Sequence, residues 1–276
     1  MTATAFRIGG DLEVHRLGFG AMRLPTEPGA ARPAALAVAR RAVELGITLI
    51  DTAHMYGGGA NEELLAEALH PYPEDLLITT KVGLTRPDPS ADWKLDGRPA
   101  VLRDQVEQGL RRLRVERIEL LQLHRIDPET PLADQLGTLR DEGKIGRIGL
   151  SEVTAEELAE ARETVEIASV QNRYNLLDRE HEPVLTACEE AGIAFLPWRP
   201  VVWGDSRANA EILAVAAELE ATPTQVALAW LLAHSPVVLP IPGTARIDHL
   251  EENAAAGSVR LTPAHREILD RLAAPQ

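Results

Sequence analysis

The 276-residue sequence contains a single cysteine, Cys188. One thiol excludes an intrachain disulfide and any metal site built from several thiolates. Aromatic residues make up only 4% of the chain, and just three of its 28 basic residues are lysines, namely Lys81, Lys94 and Lys144. Because arginine supplies nearly all of the positive charge, a lysine at a key position indicates a role that a guanidinium cannot fill.

Positive charge is scarce overall. The 28 basic residues face 42 acidic ones, which gives a formal net charge of −14. A chain this acidic will not hold nucleic acid or an anionic membrane through its overall field, so neither is expected as a partner. Any nucleotide that binds must be met by a local cluster of positive charge.

Long hydrophobic runs are also missing. The longest nearly apolar stretch, residues 226–233, is far too short to cross a bilayer. The N-terminal segment MTATAFRIGGDLEVHRLG has no apolar core behind a basic start, so no secretory signal is expected. We therefore expect a soluble, cytoplasmic protein, and the absence of a linker predicts one domain over residues 1–276.

Short apolar runs recur along the chain, each followed by a stretch with helical spacing. The runs cover residues 14–20, 47–51, 76–81, 118–124, 148–151, 167–171, 193–198 and 237–240. Nearly continuous apolar runs are typical of parallel strands covered by helices. Eight strands alternating with helices predict an α/β fold, a closed (β/α)8 TIM barrel. Gly9 and Gly10, between two short β-like runs, predict an N-terminal hairpin that closes the bottom of the barrel.

A doubly wound open sheet is the competing fold. It would place a G-x-G-x-x-G turn after its first strand, and no such turn occurs there. The nearest motif, Gly57-Gly58-Gly59, follows the second run and lacks the third glycine spacing. The barrel is therefore favoured.

Active sites of such barrels lie at the carboxyl ends of the strands. The residues at those ends are Gly20, Asp51, Lys81, His124, Ser151, Gln171, Trp198 and, just past the eighth run, Gly243. Four neighbouring strands thus present an acid, a base, an imidazole and a hydroxyl to one rim. Charge gathered at a converging rim is costly for a purely structural strand, so this arrangement indicates a functional site.

The side chains at this rim suit a proton donor with a polarising pair. Asp51 can hold the Lys81 ammonium, and the glycines after Tyr56 in DTAHMYGGG allow that loop to fold back over the rim. A cation beside the Tyr56 phenol predicts a lowered pKa, and His124 can donate to the same small space. Such a set protonates a carbonyl oxygen as it gains negative charge.

The residues that other hydrolytic and group-transfer reactions need are missing from this rim. No serine or cysteine lies beside a base, and the paired carboxylates of a glycosidase are missing at the opposed strand ends. A proton donor without a nucleophile indicates that a hydride cofactor attacks the carbonyl carbon. No metal site is expected, because His249 and Glu252 at helical spacing lack a third ligand.

Five segments together resemble the aldo-keto reductase family. They are DTAHMYGGGANEELLAEAL, ITTKVG, LLQLH, GKIGRIGLSE and IPGTARIDHLEEN, and they follow the family's order from about residue 17 to residue 253. The resemblance implies a (β/α)8 barrel that binds NADP(H) without a Rossmann motif. It also implies NADPH-dependent reduction of an aldehyde or ketone to an alcohol, with a small carbonyl compound as substrate.

Carried over residue by residue, the resemblance implies a catalytic tetrad of Asp51, Tyr56, Lys81 and His124, with Tyr56 as general acid. It further implies a cofactor site formed by Gly20, Ala21, Met22, Arg23, Asp51, Ser151, Gln171, Trp198, Arg199, Val201, Gly243, Thr244, Arg246, His249, Glu252 and Asn253. In that site Ser151 and Gln171 meet the nicotinamide carboxamide, and Trp198 stacks on the ring. Gly243 and Thr244 meet the 2′-phosphate, and Glu252 and Asn253 meet the adenine.

The sequence departs from many relatives at three positions of that site. Arg199 follows Trp198 in an unusual place, where it is expected to reach the pyrophosphate or the substrate. Glu152 stands where many members have asparagine, and His249 stands where many place the arginine that grips the 2′-phosphate. Arg246 is expected to supply that charge instead. NADP(H) is the expected cofactor, and NAD(H) is not excluded.

Several alternatives stay open at this point. The substrate pocket is expected to include Tyr56, His124, Trp93 and Trp203, although either tryptophan could merely cover apolar surface. The alternative function is an NADP(H)-binding sensor or regulatory subunit with little catalysis. The physiological direction, the substrate and the oligomeric state are not determined by the sequence.

Overall fold

We describe the fold from a computed structural model, which covers residues 4–86, 92–141, 143–202 and 204–273. The strands are β1 (Ala5–Ile8), β2 (Leu12–His15), β3 (Phe19–Gly20), β4 (Leu49–Asp51), β5 (Leu77–Val82), β6 (Leu84–Thr85), β7 (Lys94–Leu95), β8 (Ile118–Leu123), β9 (Ile145–Ser151), β10 (Ile167–Gln171) and β11 (Ala194–Phe195). The helices are α1 (Arg32–Glu44), α2 (Ala60–Leu69), α3 (Pro99–Leu113), α4 (Leu132–Asp141), α5 (Ala155–Thr164), α6 (Glu182–Ala191), α7 (Ser206–Glu218), α8 (Pro223–His234), α9 (Ile247–Ala255) and α10 (Pro263–Asp270).

Seven of these strands form one parallel sheet in the order β3-β4-β5-β8-β9-β10-β11. Helices separate most of the neighbouring strands in the chain, as the alternating pattern predicts. The predicted N-terminal hairpin is confirmed as the antiparallel pair β1–β2. Its buried Ile8 and Val14 pack against Leu49 and Leu77, which begin β4 and β5, so the hairpin covers the amino-terminal end of the sheet.

The eighth run closes the barrel but is not a regular strand. On one side Leu239 N donates to Phe195 O of β11 at 2.8 Å. On the other, Gly18 N donates to Pro240 O at 2.9 Å and Gly20 N to Pro242 O at 3.2 Å. Because proline has no N–H, this segment accepts from β3 without donating back, and a complete ladder cannot form. The prediction of a regular strand at 237–240 is therefore wrong, although this irregular segment takes the eighth position in the barrel.

One other predicted segment differs from the structure, and one ribbon was not predicted. The run 14–20 is divided, because residues 14 and 15 belong to the hairpin and only Phe19–Gly20 enters the barrel sheet. The region after the third barrel strand contains the antiparallel ribbon β6–β7, with Leu84 opposite Leu95. In the run 14–20, local hairpin pairing outweighs the continuous apolar pattern.

The barrel interior changes character along the strands. Its first inward layer is apolar and includes Leu49, Leu77 and Leu120. Two residues further along each strand the side chain is polar, at Asp51, Thr79 and Gln122 respectively, and all three are buried. Because alternate residues of a strand face the same side, the polar layer lies directly above the apolar one, towards the carboxyl ends.

No single helix among the described residues is long and apolar enough to span a membrane. The helices α7 and α8 meet the length and composition criteria only as a pair, and the chain bends by 89° between them.

Candidate active site

An ion pair lies at the centre of the barrel's carboxyl end. Lys81 Nζ donates to Asp51 Oδ1 at 2.8 Å, to Oδ2 at 2.7 Å and to Thr52 O at 2.8 Å. The Lys81 side chain is 0% exposed and that of Asp51 is 4% exposed. Burial acts to lower the pKa of Lys81, but Asp51 and Tyr56 together outweigh it and the pKa is raised, so the lysine stays an ammonium.

The Tyr56 phenol lies beside this pair. Lys81 Nζ is 3.5 Å from Tyr56 Oη and 5.1 Å from the ring centroid. Tyr56 begins a short 3-10 turn in which Gly57 and Gly58 have φ of 59° and 63°, and Gly59 follows at 97°. Three left-handed residues in a row need glycine, and they fold the loop back over the strand ends.

The direction of the Tyr56 pKa differs from the prediction. Burial raises the pKa of the phenol above 10, and this effect outweighs the lowering by the Lys81 ammonium. Asp51, bound to that ammonium, also raises the pKa because its negative charge acts on the phenol. The sequence argument was wrong here because it counted the cation without the desolvation, and the phenol keeps its proton at neutral pH.

His124 completes the cluster. Its ring lies edge-on to the Tyr56 ring, with centroids 6.3 Å apart, and the residue is 8% exposed. Burial first, and then the positive charges of Lys81 and Arg125, lower the pKa of His124 to about 2. The imidazole is therefore neutral, with one ring nitrogen available as a donor and the other as an acceptor.

The Gln171 side chain is buried inside the barrel instead of lying at an open rim. It is 2% exposed, and its Nε2 donates to Asp51 Oδ1 at 2.8 Å. Gln122 Nε2 donates to the same oxygen at 3.3 Å and to Thr79 Oγ1 at 3.0 Å. Both glutamines thus help to hold the carboxylate that holds Lys81, and the carboxamide contact of Gln171 stays a prediction.

Ser151 and Glu152 lie on the next part of the rim. Arg125 Nη1 donates to Ser151 Oγ at 3.2 Å, and its other terminal nitrogen is 3.9 Å from Glu152. Glu152 has a φ of 56° and accepts from the Trp198 indole N–H and, at 2.8 Å, from the Arg173 backbone N–H. Glu152, at the position where many family members have asparagine, therefore holds the indole of Trp198 in place through its carboxylate.

Two backbones meet between the first strand and the closing segment. A Cβ added to Gly20 would lie 2.7 Å from Ile241 O, and one added to Gly243 would lie 2.8 Å from Gly20 O. Only glycine permits this approach. Around it, Ala21 and Thr244 are buried, Val201 is half-buried, and Met22, Arg23 and Arg199 are exposed.

The cations near α9 are arranged differently from the expectation. Arg246 Nε donates to Asp248 Oδ1 at 2.9 Å, and a second contact joins the same side chains. The Asp248 carboxylate therefore neutralises much of the Arg246 charge. His249 is exposed and Asn253 is buried. Glu252 accepts from Thr222 Oγ1 at 2.6 Å, which ties α9 to the first turn of α8. The adenine and phosphate contacts of these residues stay predictions.

Comparison with known proteins settles the family. The chain matches the Aldo/keto reductase family over residues 16–274. It is 46% identical over 261 residues to an uncharacterized oxidoreductase of Schizosaccharomyces pombe, which covers 92% of this chain and 85% of that protein. The chain belongs to the aldo/keto reductase family. The predicted family is thereby confirmed, and with it an oxidoreductase built on the (β/α)8 barrel.

Two further relatives of this aldo/keto reductase bear on its chemistry. Pyridoxine 4-dehydrogenase of Escherichia coli is 37% identical over 284 residues, which cover 98% of each chain. A solved structure of an aldo-keto reductase from Klebsiella pneumoniae in complex with NADPH superposes with a TM-score of 0.82 at 26% identity, covering 99% of this chain and 95% of that one. No cluster of three or more potential metal ligands occurs within the described part of this chain.

The predicted substrate tryptophans have different outcomes. Trp93 is half-buried, and its ring meets the ring of His54, in the loop before Tyr56, edge-on with centroids 6.5 Å apart. Trp203 lies outside the described residues. Lining of the substrate pocket by Trp93 therefore stays a prediction, supported by its place beside the Tyr56 loop.

Sequence reasoning overlooked Gln122 as a member of this aldo/keto reductase site. The signal was present, because a glutamine within the apolar strand ELLQLH lies two residues before His124 and so faces the same side. A polar residue inside a parallel strand needs a partner, and that partner is Asp51.

Proposed function

We propose that this chain reduces an aldehyde or ketone to the alcohol with NADPH, with Tyr56 as the general acid, acting as one barrel domain. The observation that carries the proposal is the fully buried Lys81 ammonium, which touches both the Asp51 carboxylate and the Tyr56 hydroxyl. A buried, paired cation beside a phenol stabilises the phenolate that remains after proton donation.

The rim residues fit a dinucleotide. Gly20 and Gly243 bring two backbones together with no side chain between them. The half-buried Trp198, at the end of the seventh predicted strand, has its indole fixed by Glu152. Arg23 and Arg199 are exposed at the rim, and a guanidinium is a good partner for phosphates. The amino terminus of α9 has no side-chain cap, so its backbone N–H groups favour an anion, while Asp248 in the first turn opposes one. These residues would hold NADPH.

When bound, the nicotinamide would supply the hydride. The chain's own groups handle the oxygen: Tyr56 holds its proton, because burial keeps the pKa of its phenol above 10, and donates it as negative charge develops. Lys81 then faces the phenolate, and Asp51 keeps the ammonium in place. The neutral His124 orients the carbonyl oxygen by donating a hydrogen bond. Carbonyl compounds that fit between Tyr56, His124 and Trp93 are the proposed substrates.

The substitution Tyr56→Phe tests this proposal. It removes the proton and leaves the ring, so kcat for a carbonyl panel should fall by about 10²- to 10⁴-fold. The dissociation constant for NADPH, measured by fluorescence quenching, should stay within twofold of wild type. Tyr72→Phe is the matched control, since the Tyr72 hydroxyl donates to Leu113 O at 2.7 Å on the outside of the barrel.

The possible outcomes separate the two functions. Unchanged turnover in Tyr56→Phe would contradict the acid role. A wild-type chain that binds NADPH tightly yet oxidises it with no member of a broad carbonyl panel would favour the regulatory subunit instead.

A further inference from the structure

The guanidinium of Arg112, on the inner side of α3, lies behind the loop that carries Tyr56. Its Nη1 donates to His54 Nδ1 at 3.0 Å, and its Nη2 donates to Gln108 Oε1 at 2.9 Å. His54 lies two residues before Tyr56. Burial first, and then the Arg112 charge, lower the pKa of His54 to about 4, so the ring is neutral and can accept this hydrogen bond.

The same guanidinium is paired with a buried acid. Arg112 Nη1 is 3.2 Å from Glu62 Oε2, and the Glu62 side chain is 1% exposed. The other oxygen of Glu62 accepts from Thr80 Oγ1 at 2.6 Å. Thr80 directly precedes Lys81 in β5, so this pair reaches the strand that carries the ammonium.

Gly59 shows how closely the guanidinium meets the loop. Gly59 has a φ of 97° and precedes α2, and a Cβ at this position would overlap the guanidinium of Arg112. The loop from Asp51 to Gly59 is therefore supported from behind by a single planar group. A long aliphatic side chain alone would not give the directed bonds that this planar group makes.

We propose that Arg112 and Glu62 form a positioning pair that sets the distance between the Tyr56 hydroxyl and the Lys81 ammonium. The inference rests on the proposed function, because that distance matters only if Tyr56 donates a proton. The pair links His54, two residues before the phenol, to Thr80, one residue before the ammonium. Neither member touches the reacting atoms, and both act through the segments that they hold.

The geometry makes a specific demand on the reaction. The Lys81–Tyr56 contact is 3.5 Å, at the outer limit of a hydrogen bond, so a small shift of the loop breaks it. A displacement of about 1 Å at a reacting group can lower a rate by about 100-fold. Loss of the pair should therefore slow the chemical step more than it weakens cofactor binding.

Two variants test the pair from opposite sides. Arg112→Gln removes the positive charge and the paired N–H donors of the guanidinium. His54→Leu removes the hydrogen-bond acceptor in the Tyr56 loop and leaves the Arg112–Glu62 contact intact. We expect kcat to fall about 10- to 100-fold in Arg112→Gln and several-fold in His54→Leu. In both, the NADPH dissociation constant should stay within twofold, and the kinetic isotope effect with NADPH deuterated at C4 should rise. Arg112→Lys should recover part of the rate.

The neighbouring Arg111 supplies the control. It is exposed on the same helix, and Arg111→Gln should leave every measured quantity at its wild-type value. Thermal unfolding of each variant gives the folded fraction, and rates are compared per folded molecule. The positioning role would be overturned if kcat of Arg112→Gln and of His54→Leu stayed within twofold of wild type. It would also be overturned if their losses in kcat vanished once the rates were expressed per folded molecule.

A second readout separates failure of this inference from failure of the proposed function. In a chain carrying ¹³C-labelled tyrosine, the Tyr56 resonance is assigned by its loss in Tyr56→Phe, and it should shift in Arg112→Gln and in His54→Leu. A wild-type chain that reduces no carbonyl overturns the proposed function. A Tyr56 resonance that stays unmoved in both variants overturns the positioning role whatever the turnover.

Discussion

The side chains of this site owe their properties to burial as much as to their neighbours. His124 is the clearest case, because burial first, and then the charges of Lys81 and Arg125, lower its pKa from 6.5 to about 2. The imidazole stays neutral through the physiological range, so it can donate a hydrogen bond without adding charge. Tyr56 follows the same rule, since burial raises its pKa and keeps the phenol protonated.

The neutral state of His124 predicts a pH-dependent stability. Between pH 6.5 and about 2 the unfolded chain binds a proton at this residue that the folded chain does not. The free energy of unfolding should therefore fall as the pH falls below 6.5, with a slope of up to about 1.4 kcal/mol per pH unit from this histidine. His124→Gln should show a smaller slope in urea unfolding between pH 7 and pH 5.

The exposed His249 provides the comparison, and His249→Gln should retain the wild-type slope. His54, whose pKa is lowered to about 4, contributes in the same direction in all three proteins and does not affect the difference. Equal slopes in wild type and His124→Gln would contradict the neutral, buried imidazole.

Several structural elements of the barrel are decided by backbone chemistry rather than by apolar pattern. The closing segment contains Pro240 and Pro242, so it accepts hydrogen bonds from β3 without forming a full ladder. Gly20 and Gly243 meet at its end, where a Cβ on either would contact a carbonyl oxygen of the opposite chain segment. Closure of the barrel and the rim where we propose that the cofactor binds therefore depend on the same few residues.

This close approach predicts the effect of a single methyl group. Gly20→Ala would bring a Cβ to 2.7 Å from Ile241 O, and overpacking of this kind costs about 1–3 kcal/mol. We expect a lower free energy of unfolding by chemical denaturation and weaker NADPH binding, because the rim must open to admit the methyl.

Gly257→Ala is the matched substitution, since a Cβ at Gly257 meets nothing within 4 Å. It should change stability by no more than about 0.5 kcal/mol. If the free energy of unfolding of Gly20→Ala equals that of Gly257→Ala, the close approach of Gly20 to Ile241 O is contradicted.

The charge of the whole molecule opposes the cofactor that we propose. With a net charge of −14, the overall field repels a phosphorylated dinucleotide. Local cations must outweigh that field, and Arg246, which carries Asp248 with it, contributes less than the sequence implied. Arg23 and Arg199, exposed at the rim, remain as the main local sources of positive charge.

This balance predicts how salt affects binding. Exposed ion contacts are screened within about 10 Å at 0.1 M salt, so the NADPH dissociation constant should rise several-fold between low and high KCl. Arg199→Gln should weaken binding and make this dependence shallower. Arg7→Gln, on the hairpin at the opposite end of the barrel, should leave it unchanged; a salt-independent dissociation constant in wild type would contradict the local cation cluster.

Much of this site follows from residue order. Asp51 and Lys81 lie at or next to the ends of neighbouring parallel strands, and such ends converge on one rim. The glycines after Tyr56 could be recognised as a loop that folds back. By contrast, the partner of Gln171 and the bond from Trp198 to Glu152 join residues far apart in the chain, and no local pattern indicates them.

The order of residues in the chain thus determines which groups reach the rim, because strand periodicity and strand polarity are local properties. Tertiary structure alone decides their state: whether a phenol gains or loses acidity, which carboxylate neutralises which guanidinium, and what supports the Tyr56 loop from behind. These depend on desolvation and on distances of a few ångströms between separate segments, and both exist only once the barrel has closed.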